Sequence, residues 1–571
     1  MRPTSIYCDW ALHDEPGDDV HLTEEMTMAV LDTLERWKSQ HGVGFDYYLL
    51  DAFWFARPGD YRGFDPQAWP NGFEPARRRM EALGLTPGLW LDVTGGSVTG
   101  NEFWDDSLDV NTKHSYCLFD GPYADGLQDA MLRAAERWGV RLFKFDLANF
   151  YAVTDRFSNL EAGDIYARNV AALGRILRAV RAKYPEALVL AYNGFAHVPG
   201  YLDNTTAPVL PGIDPRWLDV VDYVYSGGPR PADVPCISLR RAVDMYQDHM
   251  VHKFHRSGIP LHRIDDHGCM VGGTNAIYHL GKRGWRRTWV QTLARGSRKA
   301  HFYGDVHLLD EDDVEFLRRV RDLFFDLYRA GSWTRPVGGV PCQSPWHGFL
   351  TGNGEDGLLV VVNPSPSAVE AVVTVEDLSA ARAIFCDAGA PAECSAAGEA
   401  LYVRLAPEQM ALVGLGQKAD PRYDLGTNVG GDRVTPDSAR MELAFVLSDG
   451  PGDGRTAECR VTGAQIKAAA ERDDFDELRF SFRLREGNQA YRRAVPREQA
   501  VSEGLPIEVK ADGHEVEARA LVPDVRVWSG CSWVTGLYPL GELSCAAEVS
   551  VSFRCPDPKP RIIPEAWLQS L

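Results

Sequence analysis

Over the first ~330 residues the chain alternates between two polarity patterns. Short apolar runs end in polar or acidic residues, and each is followed by a stretch with apolar residues at every third or fourth position. The runs are "SIYCDWAL", "FDYYLLDAFWF", "LTPGLWLDV", "VRLFKFDLANF", "ALVLAYNGF", "WLDVVDYVYSGG", "IPLHRIDDHG" and "KAHFYGDVHLL". Between them, Met26, Val30, Leu34 and Trp37 share one helical face. Phe73, Ala76, Met80 and Leu83 share another, with Gly84 placed for a C-cap. Leu127, Met131 and Trp138 mark a third. Further helices are expected over 164–183, where Pro185 stops the turn, over 243–252, in "GWRRTWVQTLARG" and over 312–328. Eight strand–helix units in succession predict an α/β fold, a (β/α)₈ TIM barrel over residues 1–332.

Beyond residue 332 the helical period disappears. "HGFLTGN", "GLLVVVNPS", "EAVVTV", "ARAIFCDAG", "ALYVRLAP" and "MALVGLG" are short strands broken by Gly, Pro and Asp, and predict an antiparallel β-domain over 333–416. "MELAFVLSD", "AECRVTG", "LRFSFRLRE", "IEVKADGHEVEARAL" and "AEVSVSFRCP" predict a second β-rich domain over 417–571, of sandwich type and carrying no catalytic constellation. A length of 571 residues suits such a division.

Charge and composition narrow the partners. A net charge of −20 argues against nucleic acid and anionic membrane. No apolar stretch reaches the ~20 residues of a membrane span. The N-terminus has no apolar core of signal-peptide length, and the 11 Cys form no CxxC pair, so a reducing cytoplasm is expected, or an exported protein whose signal has been removed. Cys117, Cys236 and Cys269 read as inert packing. The 15 Trp suit the stacking of sugar rings as well as the filling of large cores. An oligomer is compatible with all of this, and no cofactor is implied.

In a TIM barrel chemistry sits at the C-terminal strand ends. Asp9, Asp51, Asp92, Asp146, Asn193, Asp222, Asp265 and Asp305 all stand in or just past an apolar run. The fourth run is the most informative. Lys144 and Asp146 interrupt it two residues apart, so both side chains fall on one face of the strand. Burying both is costly unless they are paired or used. An ammonium there favours the ionised carboxylate and offers three donors. In the seventh run His262, Asp265, Asp266 and His267 fit no standard metal spacing, and binding of sugar hydroxyls through Arg263, Asp265 or His267 is the better reading. No phosphate-cradling loop and no GxSxG elbow are present.

The segments "LLDAFWF", "AWPNGFEPARRRMEALGLTPGLWLDV" and "FKFD", in this order, resemble the melibiase-type α-galactosidases, a clan of retaining α-glycosidases built on a barrel followed by β-domains. The resemblance covers roughly residues 1–415. It implies Asp146 as nucleophile and Lys144 as a donor to sugar hydroxyls. Asp51 and Trp54 would hold hydroxyls and line the subsite, with Trp90 and Asp92 at the end of the third strand. Asp9 and Asn193 join the binding set by position. The family's acid/base follows the sixth strand in a motif like "W-x-S-D", where this chain has Gly227. Asp233 is the favoured substitute, with Asp222, Asp265 or Asp266 as alternatives. The implied activity is hydrolysis of terminal α-galactose-like residues of an oligosaccharide or glycoside. Two other classes compete: a Schiff-base lyase or aldolase using Lys144, and a sugar-binding protein without catalysis.

Overall fold

The computed structural model describes residues 2–13, 22–57, 59–95, 102–195, 215–227, 239–272, 284–341, 343–365, 368–387, 390–427, 441, 443–450, 454–470, 476–486, 489–490, 507–525, 531–555 and 557–569. The chain folds as two compact units, and the barrel sheet lies wholly in the first, made of Met1–Gly228, Lys253–Thr274 and Ser297–Phe325.

The strands of the first unit are β1 (Thr4–Cys8), β2 (Tyr47–Leu50), β3 (Phe55–Arg57), β4 (Asp60–Phe64), β5 (Thr86–Asp92), β6 (Leu142–Asp146), β7 (Leu188–Ala191), β8 (Tyr223–Tyr225), β9 (Ile264–Asp265), β10 (Cys269–Val271) and β11 (Lys299–Gly304). All but β3 and β4 join in one parallel sheet, in the order β10-β11-β1-β2-β5-β6-β7-β8-β9. Of its two outer members, β9 lies in the seventh predicted run and β10 begins one residue past that run's end. Asp265 pairs with Tyr225 of β8, and Cys269 pairs with Phe302 of β11. A single broken strand therefore closes the ring. The break is Asp266–His267–Gly268, where His267 and Gly268 both take left-handed backbone, each at φ 69°. A Cβ on Gly268 would overlap the carbonyl of His301, so only glycine lets the chain approach β11 this closely.

Both faces of the sheet are buried, as in other all-parallel sheets. Ile6, Cys8, Leu49, Leu142, Leu190, Tyr192, Tyr223, Tyr225 and Tyr303 pack together in one core. Lys144 shares strand parity with Leu142, and Lys299 and His301 share it with Tyr303. On the opposite parity Tyr7 packs against Phe45, Tyr48 and Phe302.

Apart from the first, which falls at the end of the first apolar run, the helices form where the apolar period indicated. They are α1 (Trp10–His13), α2 (Glu24–His41), α3 (Glu74–Leu83), α4 (Tyr123–Arg137), α5 (Ala162–Lys183), α6 (Leu239–Arg256), α7 (Trp285–Ala294) and α8 (Glu311–Arg329). Thr23 caps α2 through Met26 N at 3.1 Å, and Gly84 closes α3 in left-handed backbone. The second run is shorter than expected. Its strand stops at Leu50, Phe53 turns left-handed at φ 66°, and Phe55 enters the hairpin β3–β4. Trp138 falls at the C-cap of α4 and packs edge-on against Phe64 and Phe73.

The second unit comprises Pro229–His252, Asn275–Gly296 and Asp326–Leu571. Strands β12 (Thr334–Gly338), β13 (His347–Gly352), β14 (Asp356–Val362), β15 (Val369–Thr374), β16 (Ala381–Cys386), β17 (Glu393–Ala397), β18 (Ala400–Leu405), β19 (Met410–Gly416) and β20 (Gly426–Thr427) form two sheets. Val361, Val373, Leu401 and Val413 fill the core between them. β20 pairs with β16, so this sheet continues past residue 416. Farther on, β21 (Glu477–Glu486) and β22 (Val549–Cys555) belong to two different five-stranded sheets, and Phe482 stacks on Phe553 at 4.6 Å. β23 (Arg561–Gln569), which the polarity pattern does not reveal, pairs along most of β21.

Two stretches from the range expected for the barrel group with this second unit, and buried ion pairs hold them there. Asp244 of α6 bonds Arg287 Nε of α7 at 2.6 Å. Asp248 bonds Arg295 Nε at 2.7 Å and His347 Nε2 of β13 at 2.8 Å. Among the described residues no helix is long and apolar enough to cross a membrane.

Gly268→Ala forces a Cβ into the β11 backbone at a left-handed position. It should lower stability by roughly 2 kcal/mol or more, read from the urea midpoint at unchanged m-value.

Candidate active site

Asp146 ends β6, and the next residue, Leu147, is left-handed at φ 53°. A leucine rarely adopts that conformation. Here it brings the Leu147 N–H to Asp146 Oδ1 at 2.9 Å. The same oxygen accepts from Asn193 N at 3.1 Å and from Asn193 Nδ2 at 2.9 Å. Among the described residues Oδ2 accepts the Trp90 indole N–H alone, at 3.3 Å. One oxygen is thus held by three donors and the other by one longer bond. Burial pushes the Asp146 pKa up, while Lys144, Leu147 N–H, Asn193 and Trp90 act against the rise.

The hold by Asn193 rests on backbone geometry. Ala148 N–H bonds the Asn193 carbonyl at 3.0 Å, and Gly194 follows at φ 93°. A Cβ on Gly194 would overlap the Ala148 carbonyl. The chain beyond Asp146 is pinned from α5 by buried Asn169, whose Nδ2 donates to the Phe150 carbonyl at 3.0 Å and the Ala152 carbonyl at 2.9 Å.

Lys144 is 3% exposed and bonds Asp51 Oδ2 at 2.8 Å; Asp51 is 1% exposed. The Cys8 thiol donates to the same oxygen at 3.1 Å. Burial opposes the ammonium's charge, but Asp51, Cys8 and Asp146 together hold its pKa above the ordinary lysine value. The rings of Tyr192 and Tyr303 lie 4.4 and 5.2 Å from Lys144 Nζ. Asp9 lies behind Asp51, fully buried, and accepts the Asp51 N–H at 2.8 Å. Burial pushes its carboxyl up to about 8.

Other residues expected at the site take different roles. Trp54 does not line an open subsite. It is fully buried, packed against Phe55 and Phe64, with its indole N–H on the Trp90 carbonyl at 2.9 Å. Phe55 stacks in turn on Trp90, with ring centroids 6.0 Å apart, so the hairpin braces the indole that reaches Asp146. Asp92 stands in register with Asp146, and its main-chain carbonyl accepts the Tyr61 and Tyr123 hydroxyls at 2.7 and 3.2 Å.

Asp222 and Arg263 belong to the opposite end of the barrel. Asp222 precedes β8, pairs with Arg181 and accepts Val189 N–H at 2.7 Å. Arg263 precedes β9 and donates to the carbonyls of Asp222 at 2.6 Å and Leu218 at 2.8 Å. Neither reaches the mouth, so Asp222 is not an acid/base and Arg263 is not a sugar ligand. Asp265 is excluded differently. Its Oδ2 pairs with Lys299 and accepts Tyr192 Oη at 3.0 Å, and its Oδ1 accepts His267 N–H at 3.0 Å. Both carboxylate oxygens are thus engaged by buried partners of the protein itself. Asp266 caps Gly268 N–H at 3.1 Å, and Asp305 caps His307 N–H at 2.9 Å. His267 keeps a place at the rim, its ring set between Tyr225 and Tyr303, with centroids 5.0 Å from each. Asp233 and Cys236 lie outside the described residues.

Cys8, Tyr192, Lys299, His301 and Tyr303 were not singled out from the sequence. The eighth run carried the signal, because "KAHFY" interrupts an apolar strand with charge at period two, as "KFD" does. Among the described residues no group of three or more His, Cys, Asp or Glu is gathered to hold a metal.

No family model and no curated protein matches the chain. Solved structures do. The α-galactosidase from Lactobacillus brevis aligns with a TM-score of 0.51 at 11% identity, over 72% of this chain and 55% of that one. The fold is α-galactosidase-like. The GH36 α-galactosidase AgaA from Geobacillus stearothermophilus gives 0.49 at 12% identity, over 72% and 55%. The chain thus spans about 55% of the length of these two enzymes, and the likeness is one of fold.

The raised carboxyl of Asp9 gives a pH signature. With a folded pKa of about 8 against an ordinary 3.8, the folded state holds a proton that the unfolded state releases. This stability is complete below about pH 4 and is lost as pH rises through about 8. Asp9→Asn keeps an acceptor for Asp51 N–H and abolishes the linkage. Urea denaturation from pH 5 to 9 should show the wild type losing stability relative to Asp9→Asn, at up to about 1.4 kcal/mol per pH unit.

Proposed function

We propose that the protein is a retaining exo-acting α-glycosidase that removes terminal α-galactose-like residues from oligosaccharides or glycosides. The observation that carries the reading is the unequal hold on Asp146, with Oδ1 fixed by three N–H donors and Oδ2 meeting one indole N–H at 3.3 Å. A nucleophile needs this: an oriented carboxylate with one oxygen able to move onto carbon. Lys144 supports it. One of its three donors is bound to Asp51, which leaves donors for a sugar hydroxyl. An α-galactosidase-like barrel is the fold on which such a pair would act.

In the proposed course Asp146 Oδ2 gives a lone pair to the anomeric carbon. The bond to the glycosidic oxygen breaks, its electrons stay on that oxygen, and an acid protonates it. Asp233, in the segment after β8, is the proposed acid. Water then attacks the β-linked glycosyl-aspartate, gives its proton to the same residue, and releases the sugar with its configuration kept. N-acetylgalactosamine and β-L-arabinopyranose are further sugars for the same residues, and an acceptor alcohol in place of water would give transglycosylation. A Schiff base on Lys144 has the geometry against it, because a buried ammonium paired with a carboxylate at 2.8 Å is a poor nucleophile.

Hydrolysis of 4-nitrophenyl α-D-galactopyranoside tests the proposal. Asp146→Ala should lower kcat/KM by at least ~10³-fold with the melting curve kept. Proton NMR should show the α-anomer of the released sugar first. A β-anomer as first product, or full activity in Asp146→Ala, would sink the mechanism.

A further inference from the structure

The barrel interior holds a second buried lysine–carboxylate pair that the proposed chemistry leaves unused. Lys299 and Asp265 are both fully buried and form an ion pair. Lys299 Nζ also lies 3.0 Å from His301 Nδ1. Burial, then Lys299 and Lys144, push the His301 pKa well below its ordinary value, so the imidazole is neutral and its Nδ1 accepts from the ammonium. Asp265 Oδ2 accepts from Tyr192 Oη at 3.0 Å, and Tyr192 Oη lies 2.6 Å from Tyr303 Oη. A carboxylate only accepts, so the Tyr192 proton goes to Asp265 and the Tyr303 proton goes to Tyr192. The two tyrosines are tied into one oriented chain that ends on a charge.

What this chain orients is the surface around Lys144. The Tyr192 ring centroid is 4.4 Å from Lys144 Nζ, and that of Tyr303 is 5.2 Å away. An ammonium over an aromatic face is attracted by the ring quadrupole, more so when desolvated. The next residue, Asn193, holds Asp146 Oδ1 with two N–H groups. Adjacent residues at the end of β7 therefore hold the two members of the fourth-strand pair, Tyr192 the lysine and Asn193 the aspartate.

We propose that Tyr192, anchored by the buried Asp265–Lys299 pair, is a positioning residue that fixes the Lys144 ammonium beside Asp146 and thereby keeps the nucleophile ionised. The inference rests on the reading of Asp146 as nucleophile. The titratable groups that face Lys144 are Asp51 from β2, Cys8 from β1, Asp146 from β6, Tyr192 from β7, and His301 and Tyr303 from β11. Of these, Tyr192 alone is linked both to the second ion pair and, through the next residue, to Asp146.

The test compares Tyr192→Leu, which removes the ring, with Tyr192→Phe, which keeps the ring and removes the anchor. The readout is the titration of Asp146 in protein labelled with carboxyl ¹³C aspartate, its resonance assigned with Asp146→Asn, alongside the acidic limb of kcat/KM on the aryl galactoside. Tyr192→Leu should move the Asp146 titration up by about one pH unit, as a displaced ammonium compensates less. The acidic limb should move with it, and Tyr192→Phe should move both less than half as far. A residue that only fills space would lower the melting temperature and leave both titrations where they were. That result, in a variant that melts cooperatively, overturns the proposal. Where Tyr192→Leu does not fold, Tyr192→Phe carries the test: an upward shift supports positioning, and a titration identical to wild type ends it. The NMR titration needs no substrate, so a protein that cleaves no galactoside would refute the proposed function while the positioning role is still read directly.

Discussion

An ammonium inside a barrel sheet stays charged only if a carboxylate is held at hydrogen-bond distance, because neither group keeps its water. Lys144 meets that condition with Asp51 at 2.8 Å, and much of the first unit is arranged around keeping it met. Asp51 directly follows β2, a strand two positions away in the sheet order, and is fixed by its N–H on Asp9 and by the Cys8 thiol on Oδ2. Breaking such a buried pair costs about 3–5 kcal/mol, whereas an apolar pair of similar volume would cost nothing. Stability alone therefore gives no reason for the pair. Its place beside Asp146, at the end of the strand where barrels do chemistry, does.

The same reasoning extends to the backbone at the rim. Phe53, Leu147 and His267 are non-glycine residues in left-handed conformation, and each follows a barrel strand by one to three residues. Each sits where the chain turns to bring a polar group inward: the segment leaving Asp51, the N–H that holds Asp146, and the N–H that meets Asp265. Strain of this kind persists only where the surroundings over-determine it. Here the determinants are the ring closure through β9 and β10 and the close approach of Gly194 to Ala148.

The fold was legible because its signals are repeated. Eight apolar runs alternating with helical faces leave few architectures, and the sheet uses each run in turn. Lys144 and Asp146 were legible for a local reason, two charges at period two in an apolar strand. What escaped reading depended on which end of a strand a residue occupies. Asp222 and Arg263 look like site residues in "VVDYVY" and "LHRIDD", yet both come before their strands and so lie at the far end of the barrel. Trp54 and Asp265 failed for another reason. Each has the right chemistry, but neighbours distant in sequence had already claimed it, Phe64 and the Trp90 carbonyl in one case and Lys299 and Tyr192 in the other. The hairpin β3–β4 was hidden because "DAFWF" continues an apolar run through a turn that only the left-handed Phe53 reveals.

Among the described residues two buried lysines, Lys144 and Lys299, lie on the barrel strands, and Lys144 is the one that shares its strand with the proposed nucleophile. The difference lies in what surrounds each ammonium. Lys299 has Asp265 on one side, His301 Nδ1 at 3.0 Å on another and the Tyr223 ring at 5.1 Å on a third, all fully or nearly fully buried. Two of its donors meet Asp265 and His301, so it anchors Asp265 and, through that carboxylate, the Tyr192 hydroxyl. Among the described residues Lys144 has one carboxylate bond and two aromatic faces, which attract the charge without consuming a donor. Aromatic faces in place of further acceptors attract the ammonium without using its N–H groups, which the proposed function assigns to a sugar hydroxyl. The Tyr192 hydroxyl donates to Asp265, the partner of Lys299, and lies 2.6 Å from the Tyr303 hydroxyl, so the second ion pair is tied by hydrogen bonds to the two rings that flank the first.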